Sequence, residues 1–131
     1  MKKHGVLNDE VSRVISCMGH FDQLTICDAG LPVPLAVQRI DLAVKENLPR
    51  FLDVVSVVAE ELEVQRIFLA EEAKERNAEM VSEIQKIFPD ADVVFISHDV
   101  FKQQTNSSRA VIRTGECSPY SNVILESGVI F

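Results

Sequence analysis

Apolar positions along the chain follow two alternating rhythms. From Asn8 the spacing is helical: Val11, Val14, Ile15 and Met18 recur at i, i+3, i+4 and i+7. Asn8 is a capping residue, and Asp9 and Glu10 put negative charge in the first turn, where the helix dipole favours it. Gly19 predicts the end of that helix. Leu24–Cys27 reads as a short strand that leads through Asp28 into Ala29-Gly30-Leu31-Pro32-Val33-Pro34, a segment too rich in proline for a helix or a central strand. A second strand is expected over Arg39–Val44, after which Pro49 opens a helix with Phe51, Val54, Val55, Val58 and Leu62 on one face.

The alternation continues. Ile67, Phe68 and Leu69 form a compact apolar run, and the stretch from about Arg76 to Phe88 places Met80, Ile84, Ile87 and Phe88 on one helical face before Pro89 stops it. Val93–Ile96 is a continuous apolar run, as in a parallel strand covered on both sides, and it ends at Ser97-His98. A short polar helix to about Asn106 and closing strands at Ala110–Ile112 and Val123–Leu125 complete the pattern. The predicted fold is α/β, a three-layer α/β/α arrangement around a mainly parallel or mixed sheet, as one domain over residues 1–131.

Composition narrows the partners. The 131 residues carry 13 basic and 20 acidic side chains, net −7, and the basic ones are scattered among carboxylates; counterion release rewards a basic face, so no nucleic-acid partner is expected. A chain this long buries roughly two-thirds of its unfolded surface without disulfide or structural metal. Cys17, Cys27 and Cys117 are odd in number and lack C-x-x-C spacing, which fits reduced thiols and a cytoplasmic location. Lys2 and Lys3 could start a signal peptide, but Asn8, Asp9, Glu10 and Arg13 interrupt any apolar core of one. No apolar run nears the roughly 18 residues of a membrane helix, so no membrane partner is expected. A neutral small molecule fits this balance.

In open α/β sheets ligands gather beyond the carboxyl ends of strands. Asp28, His98 and the Thr114-Gly115-Glu116 turn each follow an apolar run directly, so a parallel sheet brings them to one edge. His20 lies eight positions before Asp28, and the two would share a pocket if helix and strand formed a hairpin-like pair; imidazole and carboxylate together supply acid/base chemistry near neutral pH. Against this, His20 has an ordinary role bonding the last carbonyls of its helix, His98 has one capping the next helix, and His4 lacks any partner in sequence. Tyr120 and Asn122 offer an aromatic face and an amide of the kind a polyhydroxylated sugar uses, although on their own an ordinary turn into a strand is the better account of them.

Other chemistries fare worse. Cys17-x-x-His20 with Cys27 and Asp28 lacks the paired knuckles of a zinc site, so no metal is expected. Ser118 has no G-x-S-x-G elbow, and the glycines form neither G-x-G-x-x-G nor a P-loop. Glu60-Glu61 and Glu71-Glu72 read as solvated helix ends. Val129-Ile130-Phe131 is an apolar end with no polar tail, which suits docking on a neighbouring subunit.

Several strings together are more specific: Met1-Lys2-Lys3-His4-Gly5-Val6-Leu7-Asn8, Gly19-His20, Cys27 to Pro34, Arg39-Ile40-Asp41 and Ile112 to Val123. Through them the whole chain resembles the D-ribose pyranase family, within a superfamily that also contains L-fucose mutarotase. The resemblance implies a cofactor-free isomerase that interconverts the pyranose and furanose rings of D-ribose and supplies furanose to ribokinase. It implies His20 as the catalytic acid/base, and Asp28, His98, Tyr120, Ser121 and Asn122 as sugar-binding residues. It further implies a homodecamer of two stacked pentameric rings, with sites at subunit junctions. An anomer mutarotase of fucose or a related sugar, and a non-catalytic sugar-binding accessory of ribose uptake, are the competing expectations.

Overall fold

The computed structural model describes residues 1–131. Its strands are β1 Gln23–Cys27, β2 Gln38–Asp41, β3 Val64–Ala70, β4 Asp92–Ile96, β5 Ser108–Arg113 and β6 Val123–Ser127, joined in one sheet in the order β2-β5-β1-β6-β3-β4. β1 and β2 run parallel to β5, and β3 runs parallel to β4, whereas β6 is antiparallel to both of its neighbours, β1 and β3. The reason lies in the connection. Only residues 114–122 join β5 to β6, and a parallel return needs a crossover of a dozen residues or more. The sheet is therefore mixed. Five strands point one way, so their carboxyl ends meet the amino end of β6 at a single edge.

Helices cover both faces. α1 (Asp9–Cys17), α2 (Phe51–Ala59) and α4 (Ala78–Ile87) close the larger core, where Val14, Val55 and Ile84 meet Leu24, Ile26, Ile67 and Leu125 from the sheet. On the other face α5 (His98–Gln104) and the proline-rich segment after β1 form a smaller core of Phe101 and Leu31 over Cys27, Val111 and Ile124. The alternation of Leu24 and Ile26 with Cys27 in β1 is the period-two signature of a strand buried on both sides. No helix is long and apolar enough to cross a membrane.

Several boundaries differ from the expected ones, each for a local reason. Asn8 caps α1 as predicted, its Oδ1 accepting from the Val11 N–H at 3.0 Å. The helix stops at Cys17 with Met18 extended, and the left-handed residue of the following turn is Phe21 (φ 68°) rather than Gly19. β2 ends at Asp41, where the chain bends into a loop. Pro49 belongs to that loop, and α2 starts at Phe51 with Arg50 as its cap residue. The predicted helix 76–88 is two pieces: α3 (Ala73–Arg76) and α4 are separated at Asn77 (φ −156°, ψ 53°), which leaves helical geometry to bond a distant loop.

Candidate functional site

Asp28 follows β1 directly, and both its oxygens are engaged. Oδ1 accepts from the N–H groups of Gly30 and Leu31, each at 2.9 Å, an Asx turn that folds the proline-rich segment back on itself. Oδ2 accepts from Asn122 Nδ2 at 2.9 Å, while Asn122 Oδ1 accepts from the Asp28 N–H at 2.9 Å. Asn122 is 1% exposed and immediately precedes β6, so this reciprocal pair ties the end of one strand to the start of its antiparallel neighbour. His98, after β4, presents its ring edge-on to Tyr120, with centroids 5.1 Å apart and planes at 88°. Its Nδ1 is buried and has no hydrogen-bond partner. Asp28, the Gly30–Pro32 turn, Arg76, His98 and Tyr120 line a cleft of about 330 Å³. A carboxylate, an imidazole, a guanidinium and an aromatic ring around a space of that size suit a small polyhydroxylated ligand.

Glu72, expected from the sequence to be a solvated helix end, and Asn77, which sequence reasoning did not single out, hold this edge in place. Both Glu72 oxygens accept from the His98 N–H, at 3.1 and 3.0 Å. The backbone N–H groups of Glu72 and His98 hold that carboxyl below its ordinary value. Asn77 Nδ2 donates to the Pro119 carbonyl at 2.9 Å and to Ser121 Oγ at 3.0 Å, fixing the loop in which Tyr120 adopts φ 56°. Ser121 Oγ is also 2.7 Å from Ser118 Oγ. The Ser121 side chain therefore turns from the Asp28 cleft toward a second hollow of about 280 Å³, shared with Arg50, Asn77 and Glu116.

The Thr114-Gly115-Glu116 turn reaches the expected edge, but as a fastener. Thr114 Oγ1 donates to the Cys27 carbonyl at 2.8 Å. Gly115 lies against the carbonyls of Lys45 and Leu48, where a Cβ has no room. Glu116 Oε2 accepts from Arg50 Nε at 2.8 Å and the Phe51 N–H at 3.1 Å, and Oε1 accepts from the Ser118 N–H at 3.3 Å and Ser118 Oγ at 2.9 Å. Burial pushes the Glu116 pKa up, but the bonds from Arg50, Phe51 and Ser118 outweigh it and hold the carboxyl below its ordinary value. Arg50 has no side-chain cap to offer α2, so the Glu116 carboxylate acts as the cap from far along the chain.

His20 lies elsewhere. It precedes β1 while Asp28 follows it, and the five strand residues between the two ends span roughly 16 Å. The turn after α1 leaves His20 exposed beside β3, with Nε2 2.9 Å from Gln65 Oε1 and its ring stacked on Phe21 at 3.8 Å. Helix and strand thus do not form the hairpin-like pair that would carry His20 to Asp28 in one chain. The same separation splits Cys17 and His20 from Cys27 and Asp28, and no group of three or more His, Cys, Asp or Glu is arranged to hold a metal ion. All three cysteines are free; burial, with a smaller contribution from the Asp28 charge, pushes the Cys27 thiol up to about 12. His4 is exposed, and so are Val129, Ile130 and Phe131.

Comparison with known proteins adds the following. The model of the RbsD / FucU transport protein family matches residues 1–130. A D-ribose pyranase of Pediococcus pentosaceus is 52% identical over 131 residues, covering 100% of both chains, and one of Lactiplantibacillus plantarum is 53% identical with the same coverage. The solved structure of Bacillus subtilis RbsD complexed with D-ribose superposes with a TM-score of 0.97 at 44% identity, covering 100% of each chain.

Proposed function

Because the chain belongs to the RbsD / FucU family, we infer that it acts as a D-ribose pyranase, interconverting the pyranose and furanose forms of D-ribose. The observation that carries this is identity above 50% along the entire length of proteins bearing that name, joined to a cleft whose polar groups suit a sugar. In this reading the whole of residues 1–131 is one catalytic domain, working in the cytoplasm and supplying furanose to ribokinase.

The chemistry moves only protons. A pyranose opens when the anomeric hydroxyl loses a proton and the ring oxygen gains one; the aldehyde then recloses through another hydroxyl. His20 acts as the acid/base that protonates the ring oxygen, a role that contributes roughly 10²–10⁴-fold in such transfers. Asp28, His98 and the Tyr120-Ser121-Asn122 stretch bind the sugar. The side chain of Asn122 is committed to Asp28 and that of Ser121 to Asn77 and Ser118, so these two shape the site more than they reach into it.

Since His20 and Asp28 stand at opposite edges of one sheet, a complete site needs two copies, His20 of one subunit facing the Asp28 cleft of another. This supports a homo-oligomer, proposed as a decamer of two pentameric rings in which the exposed Val129-Ile130-Phe131 end packs on a neighbour. NMR saturation transfer on D-ribose tests the reading. Pyranose/furanose exchange above the buffer rate, lost in a folded His20→Ala variant, is the expected result. Exchange between α and β anomers alone would indicate a mutarotase, and binding without exchange an accessory protein.

A further inference from the structure

His20 is the exposed end of a hydrogen-bonded row that leads to a buried carboxylate. Gln65 Oε1 lies 2.9 Å from His20 Nε2, and Gln65 Nε2 donates to Glu126 Oε1 at 3.0 Å. Glu126 is 6% exposed in β6, all of whose other residues are buried, and a carboxylate there requires donors. It has them: besides Gln65, Gln23 Nε2 donates to Oε2 at 3.1 Å, and the Arg66 guanidinium lies 3.4 Å from Oε1. Gln23 is oriented in turn, its Oε1 accepting from Gln104 Nε2 at 3.3 Å. Every group in the row is held from its far side.

That arrangement determines where the imidazole hydrogen sits. A carboxylate only accepts, so Gln65 must turn its NH₂ toward Glu126 and its carbonyl oxygen toward His20. A carbonyl oxygen also only accepts, so His20 Nε2 must carry a hydrogen. Phe21 fixes the ring plane by stacking at an interplanar angle of 20°, and Phe21 is itself anchored by donating its N–H to the Ser127 carbonyl at 2.9 Å. The one ring nitrogen left without a protein partner is Nδ1.

We propose that Gln65 and Glu126 are positioning residues that hold His20 as the Nε2–H tautomer and make Nδ1 the nitrogen that exchanges protons with the sugar. The proposal rests on the reading of His20 as the acid/base. In ring opening, Nδ1 takes the proton of the anomeric hydroxyl as that O–H pair becomes the carbonyl bond. The bond between C1 and the ring oxygen breaks with its electron pair on the ring oxygen, to which Nδ1 returns the proton. Reclosure runs the same steps in reverse through a different hydroxyl. His20 Nε2–H stays bonded to Gln65 throughout.

The test uses the full-length protein labelled with ¹⁵N-histidine, whose long-range ¹H–¹⁵N spectrum distinguishes the two neutral tautomers. The expected result is a single Nε2–H tautomer for His20 in the native chain. The single tautomer should give way to a mixture in Gln65→Met and in Glu126→Gln, the latter side chain being able to accept or donate. Exchange at saturating ribose should then fall about tenfold, while ribose affinity stays within about twofold, as orientation and not binding is lost. Gln65 is half-buried, so Gln65→Met remains readable if Glu126→Gln fails to fold. An Nδ1–H tautomer in the native chain would overturn the proposal, as would tautomer or exchange unchanged in Gln65→Met. Failure of the underlying reading looks different: native exchange in folded His20→Ala, whatever the tautomer.

Discussion

Glu116→Gln is the most informative single change for the edge that carries the sugar cleft. It keeps the shape of the side chain and removes one acceptor oxygen and the charge. The glutamine amide satisfies Ser118 Oγ by donating to it, and its remaining oxygen still faces Arg50 and Phe51. Lost are the bond from the Ser118 N–H and the charge assistance to the Phe51 N–H and Ser118 Oγ. Hydrogen bonds to a charged acceptor contribute about 1.5–3 kcal/mol and neutral ones about 0.5–1.5, so the two bonds that persist lose about 1 kcal/mol each, and with the long 3.3 Å bond from the Ser118 N–H adding little the change costs about 2 kcal/mol. Nothing is added for Arg50, which is more than half exposed. At about 3–5 °C per kcal/mol for a chain of this size, Tm should fall by about 6–10 °C at pH 7. Because the folded Glu116 pKa is depressed, its stabilisation is present in full above the unfolded value of 4.5 and is lost as pH falls through the folded one. Circular dichroism melts at fixed protein concentration, at pH 7 and below pH 4, should therefore show the gap between native and variant closing in acid. A gap under about 2 °C at pH 7, or one that widens in acid, would refute the role assigned to this carboxylate.

Three other changes probe neighbouring parts. Gly115→Ala drives a Cβ into the backbone carbonyls of Lys45 and Leu48, which cannot rotate aside, and should lower stability by about 1–3 kcal/mol in urea unfolding. Asn122→Asp replaces the donor to Asp28 with a second carboxylate oxygen, and calorimetry should show ribose affinity at pH 7 falling by about tenfold or more; unchanged affinity would separate this pair from the sugar site. Cys27, buried with its thiol pushed up to about 12, should resist iodoacetamide in the folded protein at pH 8 and react once it is unfolded, as read by peptide mapping.

Much of the fold was legible because burial leaves a period. Each expected strand overlaps an observed one, though Arg39–Val44 overruns β2 past Asp41; the Asn8 cap could be read from residue type and position, whereas α5 is capped by Ser97 and not by His98. The reversal of β6 was not legible from its own residues, since Val123–Leu125 reads alike in either direction; it follows from the short 114–122 connection. Asn77 was absorbed into a helical pattern because the contacts that pull it out of the helix, Pro119 and Ser121, lie more than forty positions away. Asp28, His98 and the Thr114-Gly115-Glu116 turn were visible as residues after apolar runs that a parallel sheet gathers, and Tyr120 and Asn122 as an aromatic face and an amide of the kind a sugar uses. The distance from His20 to Asp28 was not, because an eight-residue spacing fits a hairpin as well as a strand crossed from end to end. Glu126 did leave a signal, a charge at the end of an apolar strand, but its partners Gln23, Gln65 and Arg66 come from two other strands.

Subunit complementation tests the divided site most directly. His20→Ala and Asp28→Ala chains, each silent alone, would be mixed in equal amounts, unfolded and refolded together, and assayed by saturation transfer on D-ribose. Where one copy supplies the imidazole and another the carboxylate, random assembly rebuilds both in about one quarter of the sites, and exchange should return to about that fraction of the native rate. A mixture as silent as its components, from oligomers shown by mass spectrometry to contain both chains, would contradict a site shared between copies.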